Sequence, residues 1–473
     1  MLDRKTRIGQ ERRVGVDQLF FSCTDRKGVI TAANSVFARL SAFPRNELMG
    51  APHNLIRNPL MPAGAFKLMW DTLLGGKPFA AYVKNLAKDG FDYQVFATVT
   101  PMGAGFLSVR SSPRFDPLWN AALSLYGQTL PIEAGAKREG ANRSQTATAG
   151  LTSLAEMLAG AGFPSYDEFM YTTLPAETQT RVNLSSRRTY RPEARGDIAD
   201  ILNNAVALDE LIGELLGRLD ALQYLAEALQ AGSSQLGGTV AALAQVTQVA
   251  LDASRHVVAN APILVSTANA MAQVGAGTEQ VVEPLPERLS QVRLGVMELR
   301  FRIALAQLHN DMVINFALEN LDGFAPPEGF LYVPLLCYAL ADDVEAVSSG
   351  LEGAQQVLAD VGRHVESAGA SLGQFQKFLS AWRIQVPRYG VSAQLGGLVG
   401  PIDGQLHRSH EELGALRDLA RACIAEARPF DRVPMEEILG RINAASRHLI
   451  SENYDHTRAV FNSLGLAMPR GVK

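Results

Sequence analysis

Residues 52–62 read Pro-His-Asn-Leu-Ile-Arg-Asn-Pro-Leu-Met-Pro, and Met69-Trp70 and Val83-Lys84-Asn85 follow them ahead of a Lys-x-Gly turn. This stretch overlaps a segment of helical character, residues 34–74, and short runs rich in β-branched and aromatic residues flank it. The runs are Leu19–Cys23, Gly28–Ile30, Tyr93–Thr100 and Gly105–Val109. Their order predicts two strands, several short helices and then a three-stranded meander. This is an α+β domain with a five-stranded antiparallel sheet.

The same stretch resembles the PAS domain of bacterial aerotaxis receptors. The resemblance implies a sensor rather than a metabolic enzyme, and it implies FAD as the bound cofactor. It assigns the flavin site to Asn34, His53, Arg57, Phe66, Trp70 and Asn85. Family members usually read Arg-His-Pro-Asp-Met-Pro, whereas residues 57–62 of this chain read Arg-Asn-Pro-Leu-Met-Pro.

The residue types of this segment also suit a flat redox ligand by their own chemistry. His53 and Arg57 stand four residues apart, on one helical face, where Arg57 could contact a phosphate. Phe66 and Trp70 have the same spacing, which puts two aromatic rings on one face of the next helix. Asn34 and Asn85 could supply hydrogen-bond donors and acceptors for the polar edge of a ring system.

Two other interpretations of the pocket remain open at this point. A haem could bind instead of a flavin, with His53 as the axial ligand. Alternatively, Asn34 could simply cap the first helix while the aromatic residues pack against one another, which would leave a structural pocket without a cofactor.

Composition bounds the class of protein and its partners. With 473 residues and 47% hydrophobic content, the chain is long enough for two or three folded domains. The 44 basic and 48 acidic residues leave a net charge of −4, which predicts no nucleic-acid partner. The three cysteines lie far apart and form no Cys-x-x-Cys pair, as is typical of a reducing cytoplasm. No stretch is apolar enough to predict a membrane span, so we expect a cytoplasmic protein.

Composition also changes twice along the chain, and this predicts three regions. They are a PAS sensor domain at residues 1–118, an exit helix and linker at 119–196, and a helical signalling-like domain at 197–473. The linker is expected because residues 131–148 are rich in Gly, Ala, Ser, Thr and Arg and show no clear period. An apolar seam in alternating steps of four and three predicts a coiled coil or helical bundle, and with it a homodimer. The seam consists of Leu208, Ile212, Leu215, Leu219, Leu222, Ala226 and Leu229.

A second motif lies in the helical half. Residues 310–319 read Asn-Asp-Met-Val-Ile-Asn-Phe-Ala-Leu-Glu, and Gly-Phe-Leu-Tyr-Val follows at 329–333. The spacing resembles the hairpin tip of methyl-accepting chemotaxis receptors. The resemblance implies two antiparallel helices that reverse direction near residues 320–330, where glycines and prolines interrupt the helix.

The same resemblance implies a surface that binds protein partners of a signalling pathway. Its residues are Asn315, Glu319 and Phe330. Receptor tips carry arginines where this chain has Asp322 and Glu328. These reversals of charge disfavour the usual chemotaxis kinase and coupling protein as partners.

Together these patterns predict a signal-transduction protein that senses redox state or oxygen through a PAS-bound cofactor, FAD, and relays the signal to a receptor-like helical domain. The alternative is a non-catalytic scaffold whose PAS domain serves for protein docking or dimerisation. The sequence contains no Walker loop, no Gly-x-Ser-x-Gly elbow and no kinase signature, so neither enzymatic activity nor a metal site is predicted.

Overall fold

The structure is a computed structural model that describes residues 9–103, 105–187, 189–323 and 327–450. Its described residues form two compact units. The first unit draws on the segments Met1–Leu216, Arg300–Val347 and Asp431–Lys473, and the second on Gly217–Leu299 and Ser348–Phe430. The residues that resemble the PAS motif and those that resemble the receptor tip all belong to the first unit.

A five-stranded antiparallel sheet forms the framework of the N-terminal region. Its strands are β1 (Phe20–Asp25), β2 (Ile30–Ala33), β3 (Phe79–Leu86), β4 (Asp92–Met102) and β5 (Gly105–Ser111). They lie in the order β2-β1-β5-β4-β3, and every neighbouring pair is antiparallel. Side chains alternate between the two faces along each strand. The α+β domain with a five-stranded antiparallel sheet that the sequence predicts is confirmed.

Helices surround this sheet. They are α1 (Ser35–Ser41), α2 (Arg45–Leu48), α3 (Ala63–Leu74), α4 (Asp116–Arg138), α5 (Arg143–Gly160) and α6 (Tyr166–Leu184), with a 3₁₀ turn at His53–Ile56. The apolar core lies between the sheet and α1, where Phe20 of β1 stacks on Phe37 with ring centroids 5.5 Å apart. On α6, Glu177 accepts a 2.7 Å hydrogen bond from the hydroxyl of Tyr82, which joins this helix to β3.

The structure corrects the predicted linker, because most of residues 131–148 are helical. The predicted exit helix belongs to α4, which continues through Pro131 to Arg138, and α5 begins at Arg143. A proline inside a helix removes one backbone hydrogen bond and usually ends or kinks the helix. Here α4 and α5 pack against each other, and α5 packs on α3, so tertiary contacts hold a weakly helical sequence in helical form.

Long helices make up the rest of the chain. They are α7 (Asp197–His256), α8 (Pro262–Val282), α9 (Leu285–Leu321), α10 (Val333–Arg388), α11 (Ser392–Glu426) and α12 (Val433–Ile450), with a 3₁₀ segment at Pro327–Tyr332. Each member of the predicted apolar seam, residues 208–229, is at most 5% exposed within the single chain. A second copy is therefore not needed to cover the seam. None of the helices in the described part of the chain is both long and apolar enough to cross a membrane.

The chain reverses direction between α9 and α10. Near the turn Gly329 contacts Phe316 so closely that a Cβ would lie 2.5 Å from the phenyl ring. Further away, Arg302 pairs with Asp343 at 3.3 Å. These contacts require the two helices to run antiparallel, and α9 ends at Leu321 whereas α10 begins at Val333. Residues 324–326 and the side chain of Glu328 lie outside the described residues.

Candidate ligand-binding site

A cavity of about 390 Å³ lies between the sheet and the segment that contains the 3₁₀ turn and α3. The sheet contributes a wall of small, polar and apolar side chains, namely Ser22, Thr24, Val83, Asn85, Ala97, Val99, Phe106, Ser108 and Arg110. The facing wall includes His53, Arg57, Phe66, Met69 and Trp70. The volume falls in the range typical of small-molecule sites.

Aromatic rings of α3 form the apolar part of the cavity. Trp70 packs edge-to-face against Phe106 of β5, with ring centroids 5.6 Å apart. Gly28, at φ +78°, lies against the same indole, and a Cβ there would come within 3.3 Å of it. Phe66 lies beneath the guanidinium of Arg57, whose central carbon is 4.1 Å from the ring centroid. This combination of rings and a cation suits a flat aromatic ligand that carries negative charge.

Arg110 of β5 is a buried cation at the inner end of the cavity. It is 5% exposed and donates hydrogen bonds to Oγ of Ser22 at 3.1 Å and to Nε2 of His53 at 2.7 Å. Burial lowers the pKa of Arg110 to about 10, so the group is still protonated at neutral pH. Burial, and then the charge of Arg110, hold the pKa of His53 well below its usual value, so the imidazole is neutral. Both hydrogen-bond partners of the cation are thus uncharged.

This bond also bears on the haem alternative, which rests on His53 as the axial ligand. Nε2 of His53 already accepts the hydrogen bond from Arg110. Ligation of iron through Nε2 would therefore require that bond to break and would bring the metal cation towards a buried guanidinium. The geometry favours an anionic organic ligand over haem at this position.

Asn85 of β3 presents an unused hydrogen-bond donor to the cavity. The residue is 4% exposed, and its Nδ2 has no hydrogen-bond partner among the described residues. Asn58, which is fully buried, donates to the carbonyl oxygen of Asn85 at 3.4 Å and to Oδ1 of Asp92 at 2.7 Å, and so supports this part of β3. An unpaired buried amide is costly unless a ligand completes it. The polar edge of a flavin ring would satisfy this requirement.

The charged side chains that line the cavity are basic. Five basic side chains line it, and the described residues that form its lining include no aspartate or glutamate. The five are Arg26, Lys27, Arg57, Arg110 and Arg143. A site with this excess of positive charge and aromatic surface is built for a ligand that is both aromatic and anionic.

The structure brings together five of the six predicted flavin-site residues, and it corrects the sixth. His53, Arg57, Phe66, Trp70 and Asn85 line the cavity. Asn34 does not: its Oδ1 accepts hydrogen bonds from the backbone amides of Phe37 and Phe21, at 3.1 and 3.4 Å, and its Nδ2 donates to Leu19. These bonds cap α1 and tie it to the sheet, so the side chain has no free group to offer a ligand.

The three predicted partner-binding residues lie buried or half-buried against other parts of this chain. Asn315 donates to the carbonyl of Asp17 at 3.1 Å and accepts from Arg187 at 2.7 Å. Phe330 is 2% exposed. Glu319 is half-buried, and burial raises its pKa, against the opposing charge of Arg39. In this conformation the three side chains are not displayed to a partner.

Sequence reasoning missed Arg110 and Arg143. Arg110 is the only charged residue in Gly-Phe-Leu-Ser-Val-Arg-Ser, the sequence of β5, and strand alternation places it on the same face as Phe106 and Ser108. That isolated charge was an available signal. Arg143 lies 33 residues beyond Arg110 in a segment without a clear period, and only the tertiary packing of α5 brings it to the cavity.

Comparison with known proteins matches this N-terminal region. It is 41% identical over 100 residues to the aerotaxis receptor of Escherichia coli (strain K12), a match that covers 20% of this chain and 20% of the receptor. It is 32% identical over 81 residues to the nitrogen fixation regulatory protein of Klebsiella pneumoniae, covering 17% and 16% of the two chains. The chain thus spans about a fifth or less of the length of these curated relatives. No protein-family model matches the chain.

Among solved structures, a fungal LOV domain photoreceptor is similar, with 18% identity, 21% of this chain and 75% of that chain covered, and a TM-score of 0.18. The five-stranded antiparallel sheet and its flanking helices are PAS-like in fold. The similarity to the aerotaxis receptor is confined to about 100 residues of this N-terminal region.

Proposed function

We propose that this protein senses redox state or oxygen through FAD bound in the PAS cavity and relays the state of the ligand to its helical region, without catalytic turnover. The observation that carries the proposal is the buried, charged Arg110, which has only neutral hydrogen-bond partners. A buried cation without a counter-charge destabilises a protein unless a ligand supplies the negative charge. The unpaired amide of Asn85 adds a second unmet requirement on the same cavity.

Bound flavin would supply reversible electron transfer, and the protein side chains would bind it and respond to it. Trp70 and Phe66 would pack against the ring system, and Nδ2 of Asn85 would donate to its polar edge. Arg110 would stabilise negative charge that the ring gains on reduction. Because Arg110 also donates to Ser22 and His53, a change in ligand charge would alter the hydrogen bonds of both neighbours.

Strand β1 offers a route from the cavity to α9. Ser22 lines the cavity, whereas its neighbour Phe21 packs edge-to-face on Phe316 and on Tyr332, with ring centroids 5.4 and 4.9 Å apart. A shift of β1 that accompanies a change in the bond between Arg110 and Ser22 would therefore reach the α9–α10 turn directly. The relay requires that the two ligand states favour different packings of these rings, because only a differential interaction biases an equilibrium.

The remaining parts of the proposal concern location and partners. Cys23, Cys337 and Cys423 are buried free thiols, which fits a reducing cytoplasm. We propose that the downstream partners are proteins of a signalling pathway and that Asn315, Glu319 and Phe330 contribute to binding them once their contacts within the chain are released. A homodimer is proposed on the likeness to receptor proteins.

The test of the proposal is an absorption spectrum of the purified full-length protein, before and after reconstitution with FAD. A flavin in the PAS cavity should give bands that bleach with dithionite and that Trp70→Ala removes or strongly weakens. Leu74→Ala is the matched control, because Leu74 lies on the same helix and is 69% exposed. A protein that stays colourless after reconstitution contradicts the proposal and favours the scaffold alternative, in which the PAS domain serves for docking.

A further inference from the structure

Helix α5 contributes one basic side chain to a cavity that otherwise belongs to the PAS fold. Arg143 is the first residue of α5 and lines the cavity at its exposed margin, whereas Arg110 is at the buried end. A capping box fixes the start of the helix: Oδ1 of Asn142 accepts from the amide of Gln145 at 3.0 Å, and Oε1 of Gln145 accepts from the amide of Asn142 at 2.9 Å. The position of Arg143 is therefore set by the fold.

The α5 helix is held firmly against the helix that carries the aromatic wall. Gly64 of α3 lies so close to α5 that a Cβ would be 2.4 Å from the carbonyl carbon of Gly150. The carboxylate of Glu133 on α4 accepts hydrogen bonds from the amides of Ala63 and Gly64, at 2.9 and 2.8 Å. The aromatic residues of α3 and the arginine of α5 thus belong to one packed assembly.

Arg143 has no structural task within the chain that would account for its position. Its side chain makes no hydrogen bond or ion pair with the described residues. The nearby carboxylate of Glu133 already accepts hydrogen bonds from two backbone amides of α3. Burial, and then the charge of Arg143, lower the pKa of Arg57, against the opposing charge of Glu133. Arg57 and Arg143 line the same cavity, and two guanidinium groups at one site suit a phosphate.

We propose that Arg143 binds the phosphate end of the flavin nucleotide in the PAS cavity, so that α5 forms part of the ligand site. This inference rests on the proposed function. The ring system would occupy the inner part of the cavity near Arg110, and the side chain of the ligand would run towards Arg57 and Arg143 at the margin. Occupancy by a phosphorylated ligand would then stabilise the packing of α5 on α3, whereas occupancy by the ring alone would not.

The experiment compares the affinities of FAD, FMN and riboflavin for the ligand-free, full-length protein by flavin fluorescence titration. The variants are Arg143→Gln and the control Arg138→Gln, which removes an exposed arginine of α4 that does not line the cavity. Loss of a charge-assisted contact at a partly exposed site should weaken FAD and FMN binding about tenfold. Riboflavin, which has no phosphate, should bind the wild type and Arg143→Gln within about twofold of each other. Arg138→Gln should leave all three affinities unchanged.

A second measurement checks the link to the helix. Hydrogen exchange of the α5 amides should slow when FAD binds the wild type and should slow much less in Arg143→Gln at saturating FAD. Equal affinities of Arg143→Gln and Arg138→Gln for FAD, or an equal loss for riboflavin, would overturn the inference while leaving flavin binding intact. If the wild type binds none of the three flavins, the proposed function itself fails.

Discussion

Replacing Arg110 with methionine tests whether Arg110 serves ligand binding or the stability of the fold. Burial lowers the pKa of Arg110 from 12.5 to about 10. Each pKa unit corresponds to about 1.4 kcal/mol, so keeping this group charged costs the ligand-free protein about 3 kcal/mol. Methionine removes that cost but leaves Ser22 and His53 without their donor, which costs about 1–3 kcal/mol. The difference between the two effects is at most about 2 kcal/mol.

We therefore expect Arg110→Met to leave the unfolding free energy of the ligand-free protein within about 2 kcal/mol of the wild type. FAD affinity should fall about 10- to 100-fold, because a charge-assisted contact to an anionic ring edge is lost. Chemical unfolding without ligand and FAD titration measure the two quantities. Arg110→Lys, which keeps the charge, should retain more affinity than Arg110→Met. Clear destabilisation together with unchanged FAD affinity would show that Arg110 is a structural residue.

Further predictions follow from packing, burial and charge. Gly64→Ala should lower the unfolding free energy in urea by about 1–3 kcal/mol, because the added Cβ forces α3 away from α5. Gly127→Ala, whose Cβ would have no atom within 4 Å, should be neutral or stabilising. Equal losses of stability in the two variants would contradict the close contact between Gly64 and α5. The pKa of His53 is lowered in the folded state, so protonation of His53 below about pH 6.5 favours the unfolded state. His53→Gln should therefore flatten the decline of thermal stability between about pH 7.5 and 5.5, and an unchanged pH profile would refute this. Asp311→Asn breaks buried ion pairs with two arginines and should lower the unfolding free energy by about 3–5 kcal/mol. Asp322→Asn, at a partly exposed ion pair, should lower it by at most about 1 kcal/mol. Equal losses of thermal stability in the two variants would contradict the difference in burial.

The sheet could be predicted because its signals are local. Residues 93–100 and 105–109 are rich in β-branched and aromatic side chains, and the structure has strands β4 and β5 there. The linker prediction failed because Pro131 and the small residues near it carry weak intrinsic preferences, which packing on α3 and α5 overrides. Local pattern decides an element only where tertiary contacts do not compete with it.

The site shows the same division between local and long-range information. Phe66 and Trp70 could be paired from sequence, since helical periodicity alone puts residues four apart on one face. Asn34 was assigned to the ligand because the resemblance transfers a residue's role without showing which contacts the side chain makes here. In the structure its Oδ1 accepts hydrogen bonds that cap α1 and tie it to β1. Arg143 could not be found from sequence, because its place at the cavity depends on how α5 docks.

The receptor-tip motif is a further case in which sequence gave the element and not its surroundings. Helix α9 ends at Leu321 and α10 begins at Val333, on either side of the turn that the motif predicts. The environment differs, because Phe21 of the sheet packs on Phe316 and Asn315 bonds to Asp17. Contacts between residues nearly 300 positions apart leave no periodic trace in the sequence.

Hydrogen exchange on the FAD-loaded protein, compared between the oxidised state and the dithionite-reduced state, tests most directly whether the state of the ligand reaches the helical region. Reduction should change exchange in β1 and β5 around Ser22 and Arg110, and also in α9 around Phe316. Identical exchange of these segments in the two redox states, with FAD shown to be bound, would contradict the claim that the protein relays the state of its ligand.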